Sequence, residues 1–152
     1  VDAMKLQHYL HVHIPLSAAM QVRVASVGVD AVVLSAALAP NINHRATVFG
    51  GSAMSLALLA GWSLLFVRLA DVAPDSRLVI QRSNMEYLKP ITAAFTATAH
   101  LADPDSWAAF VALFAKRGRA RLSVEASLGC LGEDVGMFRG DYVALRSAQD
   151  AP

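Results

Sequence analysis

Cysteine occurs once in the 152-residue sequence, at Cys130. A single thiol excludes an intramolecular disulfide and any all-cysteine metal site, and it fits a reducing compartment, so a cytoplasmic location is expected. Charge is sparse too: charged residues make up 16%, and the formal net charge is +1. That balance lacks the cationic excess of a nucleic-acid surface or of a binder of anionic membranes, so neither partner is expected. The opening "VDAMKLQHYLHVHIPL" lacks the continuous apolar core and small-residue cleavage site of a secretory signal. It begins with Val, and a start further upstream is expected. Residues 53–67, "AMSLALLAGWSLLFV", fall short of the roughly 20 apolar residues that cross a hydrocarbon core, so a buried central helix is expected and not a membrane span.

What is present is hydrophobic residues, at 55%, arranged in alternating segments that need one shared core. The pattern predicts a single α+β domain over residues 1–152. A short helix is expected at about 3–12, then a hairpin of strands over 20–26 and 31–38, with "SVGVD" supplying the glycine of a tight connection. The apolar run gives a long helix at about 51–69. A strand over about 78–88 should stop where Lys89 precedes Pro90, and "AAFTATAHL" gives another. An amphipathic helix is expected from Asp105 to Lys116, with Gly118 just past its end. In "RARLSVEASLGC", Leu122, Val124, Ala126 and Leu128 share one face, and "GMFRGDYVALR" closes the set before a frayed "SAQDAP" tail.

The chemistry-bearing stretch is "APNINHRATVFGGSAM", residues 39–54. Gly50 and Gly51 let the backbone approach a ligand closely just where a helix begins, and the first amides of a helix have no internal partners. Such amides can hold a carbonyl oxygen as it gains negative charge. Ser52 can cap that helix or act as a nucleophile, although no G-x-S-x-G elbow surrounds it. Asn43 can orient a water or a carbonyl through its amide, and His44 can take up a proton near neutral pH; a turn or capping role is open for both. Arg45 and the "KRGRAR" run at 116–121 offer guanidinium groups for phosphates or simply a solvated turn. His8, His11 and His13 have no acid or cysteine nearby to complete a metal site, so no metal is expected. Cys130 reads as a buried small hydrophobe, and Trp62 and Trp107 as core or interface aromatics.

The segment "NHRATVFGG" resembles the Asn-His-x-x-Thr-x-Phe-Gly-Gly lead-in to the central helix of hotdog-fold acyl-CoA thioesterases. Together with "HIPLSAAM", "NMEYLKPI", "RARLSVEASL" and "FRGDYVAL", it is similar over roughly residues 10–146 to the thioesterase family of the YiiD C-terminal domain. The resemblance implies a curved antiparallel sheet wrapped around the central helix and a homodimer or dimer of dimers. It also implies hydrolysis of an acyl-CoA or acyl-carrier thioester without a cofactor, coenzyme A entering as part of the substrate. It places Asn43 beside the thioester, with the Gly51 amide toward its carbonyl oxygen. Asn43, His44, Thr47 and Glu86 are then the catalytic candidates, and Arg45, Phe49, Gly50, Gly51, Ser52 and Asn84 the substrate-binding ones. Tyr87 is a weaker candidate that ordinary aromatic packing explains. The sequence departs from the acyl-CoA hydrolases seven residues after the second glycine, where their acid is replaced by Leu58. Glu86 is the replacement acid that the sequence offers, with a rim carboxylate as its other reading. The departure also leaves open a non-catalytic acyl-thioester-binding module.

Overall fold

The computed structural model describes residues 1–147, so the expected fraying of the tail falls, beyond Ser147, outside the described residues. The chain runs α1 (Ala3–His13), α2 (Pro15–Ala19), β1 (Arg23–Val27), β2 (Val32–Ala36), α3 (Gly50–Leu69), β3 (Ser76–Tyr87), β4 (Phe95–Leu101), α4 (Trp107–Arg117), β5 (Arg119–Cys130) and β6 (Glu133–Arg146). Short 3-10 turns at Ala39–Asn41 and Pro104–Ser106 precede α3 and α4. Asp2 caps α1 by accepting from the Lys5 amide at 2.8 Å. Pro15 then opens α2 as a separate turn of helix, an element the sequence reading did not resolve.

All six strands form one antiparallel sheet in the order β1-β2-β4-β5-β6-β3. Helix α3 touches β2, β4, β5, β6 and β3, which are consecutive in that order. Five strands at ~4.8 Å spacing are about 19 Å across, nearly twice the ~10 Å diameter of a helix, so a sheet that meets one helix with all five must curve around it. Half of the 20 residues of α3 are buried, among them Leu56, Leu59, Leu64 and Leu65. The apolar run long enough to cross a membrane is thus the core helix of the sheet. Leu122, Val124, Ala126 and Leu128 of β5 all point into this core, as their alternation requires. Cys130 is a free, buried thiol on the same face.

One close approach fixes the sheet on the helix. The buried Tyr142 of β6 donates its hydroxyl to the Leu58 carbonyl at 2.6 Å, and a Cβ on Gly61 would stand 2.5 Å from that oxygen. Burial of the ring pushes the phenol well above its ordinary value, countered in part by the Trp62 amide.

The two edges of the sheet are finished differently. At β1, helix α1 covers the edge: Gln7 accepts from the Val24 amide at 3.0 Å, and His11 donates to the Val22 carbonyl at 2.7 Å. His13 instead packs tilted against Tyr9, ring centres 4.2 Å apart, and His8 is exposed, so the three histidines diverge. At the other edge, β3 is exposed along nearly its whole length, Val79 and Ile80 included.

Candidate functional site

The loop that leads into α3 is held at both ends. Asn41, buried, donates to the carbonyls of Met20 at 2.9 Å and Ala37 at 2.7 Å, and its own carbonyl accepts from the Phe49 amide at 2.7 Å. Ile42 and Val48 form a bridge, and the Val48 amide reaches the Ile91 carbonyl at 2.9 Å. Between these anchors Asn43 organises a tight turn. Its side-chain oxygen accepts from the amides of Arg45 at 2.9 Å and Thr47 at 3.1 Å, and its NH2 donates to the Thr47 hydroxyl at 2.9 Å. Asn43 and Thr47 are therefore brought together, but each spends its polar atoms on the other. His44 and Arg45 ride exposed at the tip of this turn.

Helix α3 starts at Gly50 with Phe49 as its N-cap residue and no side-chain cap. Ser52 is the third helical residue, half-buried, and its amide bonds back to the Phe49 carbonyl at 2.9 Å, so the capping role open to it in the sequence is not taken. The amides of Ser52 and Ala53 share the Phe49 carbonyl, whereas those of Gly50 and Gly51 have no acceptor among the described residues. Two adjacent donors are thus left open at the positive end of a 20-residue helix. The exposed ring of Phe49 folds over Gly51, where an added Cβ would stand 2.5 Å from it.

A cavity of about 390 Å³ borders the helix start at Gly50, lined among others by Thr47, Gly50, Ala53, Tyr87, Lys89 and Ile91. Tyr87 donates its hydroxyl to the Gly50 carbonyl at 2.9 Å, which ties the end of β3 to the start of α3. An aromatic residue in a strand is usually a packing residue, which is why the sequence marks Tyr87 only as a weaker candidate. Lys89 is paired with Glu133 at 3.0 Å. Among the described residues no carboxylate lines this cavity.

The register of β3 against β6 decides where Glu86 and Asn84 point. Ile80 and Met85 pair with Tyr142 and Phe138, the core-facing residues, and Tyr87 with Gly136. Alternation then puts Arg77, Val79, Arg82, Asn84 and Glu86 on the outer face, away from α3. Glu86 and Asn84, two positions apart, share that face, and the sheet separates it from the helix start. Leu58 is half-buried on α3 and brings no titratable group. Of the basic run, Arg121 donates to Gln81 at 3.3 Å and Arg119 is exposed, both beside the Ser76 end of β3 and not beside the Gly50 loop.

A family model described as "Putative thioesterase (yiiD_Cterm)" matches residues 3–146. Among solved structures, the chain is similar to a protein of unknown function from Chlorobaculum tepidum, at 28% identity and a TM-score of 0.88 over 95% of this chain and 94% of that one. It is also similar to a protein from Shewanella oneidensis described as a "putative thioesterase", at 28% identity and a TM-score of 0.80 over 94% and 96% of the two chains. A Pseudomonas aeruginosa protein described as a "Probable Thioesterase" shares the fold at 21% identity, with a TM-score of 0.83 over 97% of each chain.

Proposed function

Because the chain belongs to this YiiD C-terminal thioesterase family, with the hotdog fold, we propose that it hydrolyses an acyl-CoA or acyl-carrier thioester and does so as a two-fold pair. The observation that carries the reading is the pair of open amides at Gly50 and Gly51 beside a cavity. A thioester carbonyl seated there is polarised by the two N–H groups and the helix dipole, and the oxyanion formed when water attacks gains more from them than the ground state does. Asn43 and Thr47 keep the turn in the shape that leaves those amides open. Of the acid–base candidates, Glu86 is across the sheet while His44 is on the turn itself, so His44 is assigned the proton of the attacking water. Lys89 at the cavity and Arg45 at the turn tip supply positive charge for the phosphates of the pantetheine carrier.

The pairing supports the same reading. The exposed β3 edge is antiparallel to its own copy under a two-fold axis, so each chain's Tyr87 end, with Gly50 bound to it, comes beside the Ser76 end of the other. That end carries Ser76 and Leu78, which share the α3-facing set of β3 with Tyr87. A second reading, an acyl-thioester-binding module without turnover, is favoured by Leu58 and by the lack, among the described residues, of a carboxylate at the cavity. Thiol release from a panel of acyl-CoA and acyl-carrier thioesters separates the two. Hydrolysis that falls at least tenfold in His44→Gln and in Gly51→Val supports the enzyme, whereas tight binding with no thiol release by the unaltered protein supports the module.

A further inference from the structure

A second cavity, of about 250 Å³, lies at the far end of α3, between Tyr9 of α1, Trp62, Phe66 and Leu69 of α3, Ala73 before β3 and Leu78 within it. Its wall includes a stack of rings: Trp62 and Phe66 are 4.8 Å apart at 16°, and Tyr9 and Phe66 are 4.8 Å apart at 28°. All three are half-buried. Arg77 lines the rim but belongs to the outer-face set of β3, so the aromatic and aliphatic residues set the character of the interior. Nothing in the hydrolytic reading above uses this cavity.

We propose that it receives the apolar end of the acyl group, so that Tyr9, Trp62 and Phe66 determine which acyl chains are accepted; the inference rests on the thioester reading of the Gly50–Gly51 site. Three observations point to it. The space exceeds the ~150 Å³ of an apolar cavity that takes up benzene, so several methylenes or an aryl ring fit. The approach is apolar: Gly51, Met54, Ser55, Leu58, Trp62 and Phe66 recur at helical spacing as a stripe of α3 that the sheet leaves open, reaching from the open amides to the cavity. An acid at position 58 would interrupt that stripe with a charge, and Leu58 continues it. Finally, with β3 edges paired, the helix start of one copy comes alongside Ser76 and Leu78 of the other, at the cavity mouth. The tail therefore has an apolar route along its own helix, of about 22 Å to Phe66 at 1.5 Å per residue, and a shorter one into the second copy. Both end on the same three rings.

Each methylene buried in such a cavity changes affinity roughly fourfold. Hydrolysis of a butanoyl to hexadecanoyl CoA series should show kcat/KM rising with length. In Trp62→Ala and Phe66→Ala the ratio of hexadecanoyl to butanoyl kcat/KM should fall at least tenfold, and Ala70→Phe, which narrows the cavity, should move the optimum to shorter chains. An unchanged ratio in all three variants overturns the proposal. A binding measurement separates its failure from failure of the hydrolytic reading. With Trp107→Phe, Trp62 is the one remaining tryptophan, and titration with the hexadecyl thioether of CoA should change its emission, with Phe66→Ala raising Kd at least tenfold. That shift without hydrolysis keeps the acyl cavity and rejects turnover; no emission change and no length dependence reject the cavity.

Discussion

The loop before α3 rests on two asparagines, Asn41 and Asn43. Asn43 was legible as a loop residue with either a turn or a chemical role, and its bonds to Arg45 and Thr47 are those of a turn. Asn41, two positions earlier, carried no signal of its own, because a buried anchor is defined by distant carbonyls at Met20 and Ala37 that only the fold brings near. Asn41→Asp puts a carboxylate where two carbonyls await donors. It should cost at least ~3 kcal/mol at neutral pH and less in acid, where the carboxyl can donate once, as thermal or urea denaturation would show. Tyr142 makes a second residue-level prediction. Burial holds its phenol neutral in the folded state beyond the pH at which an exposed tyrosine ionises, so its contribution is complete below about pH 10 and declines as pH rises above that value, where the unfolded chain releases its proton. Tyr142→Phe should lose about 1 kcal/mol at neutral pH and show a shallower alkaline loss in denaturation curves measured from pH 8 to 11.5.

At the scale of elements the sequence is most informative where periodicity is strong. The β5 alternation over Arg119–Cys130 and the helix over Gly50–Leu69 are found within a residue of the expected bounds. Ends were less legible: β3 begins at Ser76 and β6 at Glu133 because their ladder partners extend them, and pairing partners are not local information. For the same reason the face of Glu86 could not be read from β3 alone, since the bulge between Ile80 and Arg82 shifts the alternation. The fit of α3 to β6 depends on Gly61. In an isolated helix Gly→Ala gains up to ~1 kcal/mol, but here the new Cβ would lie 2.5 Å from the Tyr142 hydroxyl, and overpacking costs about 1–3 kcal/mol. Packing should win, so Gly61→Ala lowers the melting temperature. Combined with Tyr142→Phe, which removes that oxygen, much of the loss should be recovered; additive losses would show that the oxygen is not the obstacle.

For the whole molecule, the contrast between the two sheet edges argues for association. Edge strands with free backbone groups are normally covered, shortened or charged. The β1 edge is covered by Gln7 and His11, but the 12-residue β3 edge carries exposed Val79, Ile80 and Tyr87. Its outer face also places Arg77 near one end and Glu86 near the other. Antiparallel pairing of two identical strands sets each of these charges toward its opposite, so like charges are kept apart. Sedimentation of the unaltered protein should give about 32 kDa, twice the 16.2 kDa chain, or a multiple of it. Placing lysines at both apolar edge positions, Val79→Lys with Ile80→Lys, should yield a folded monomer by circular dichroism. Each half of the proposed site would then lose the other chain's aromatic cavity, so thioester turnover should drop at least tenfold although Gly50, Gly51 and His44 are untouched. Full activity in a proven monomer would show that one chain's helix start and its own apolar stripe suffice.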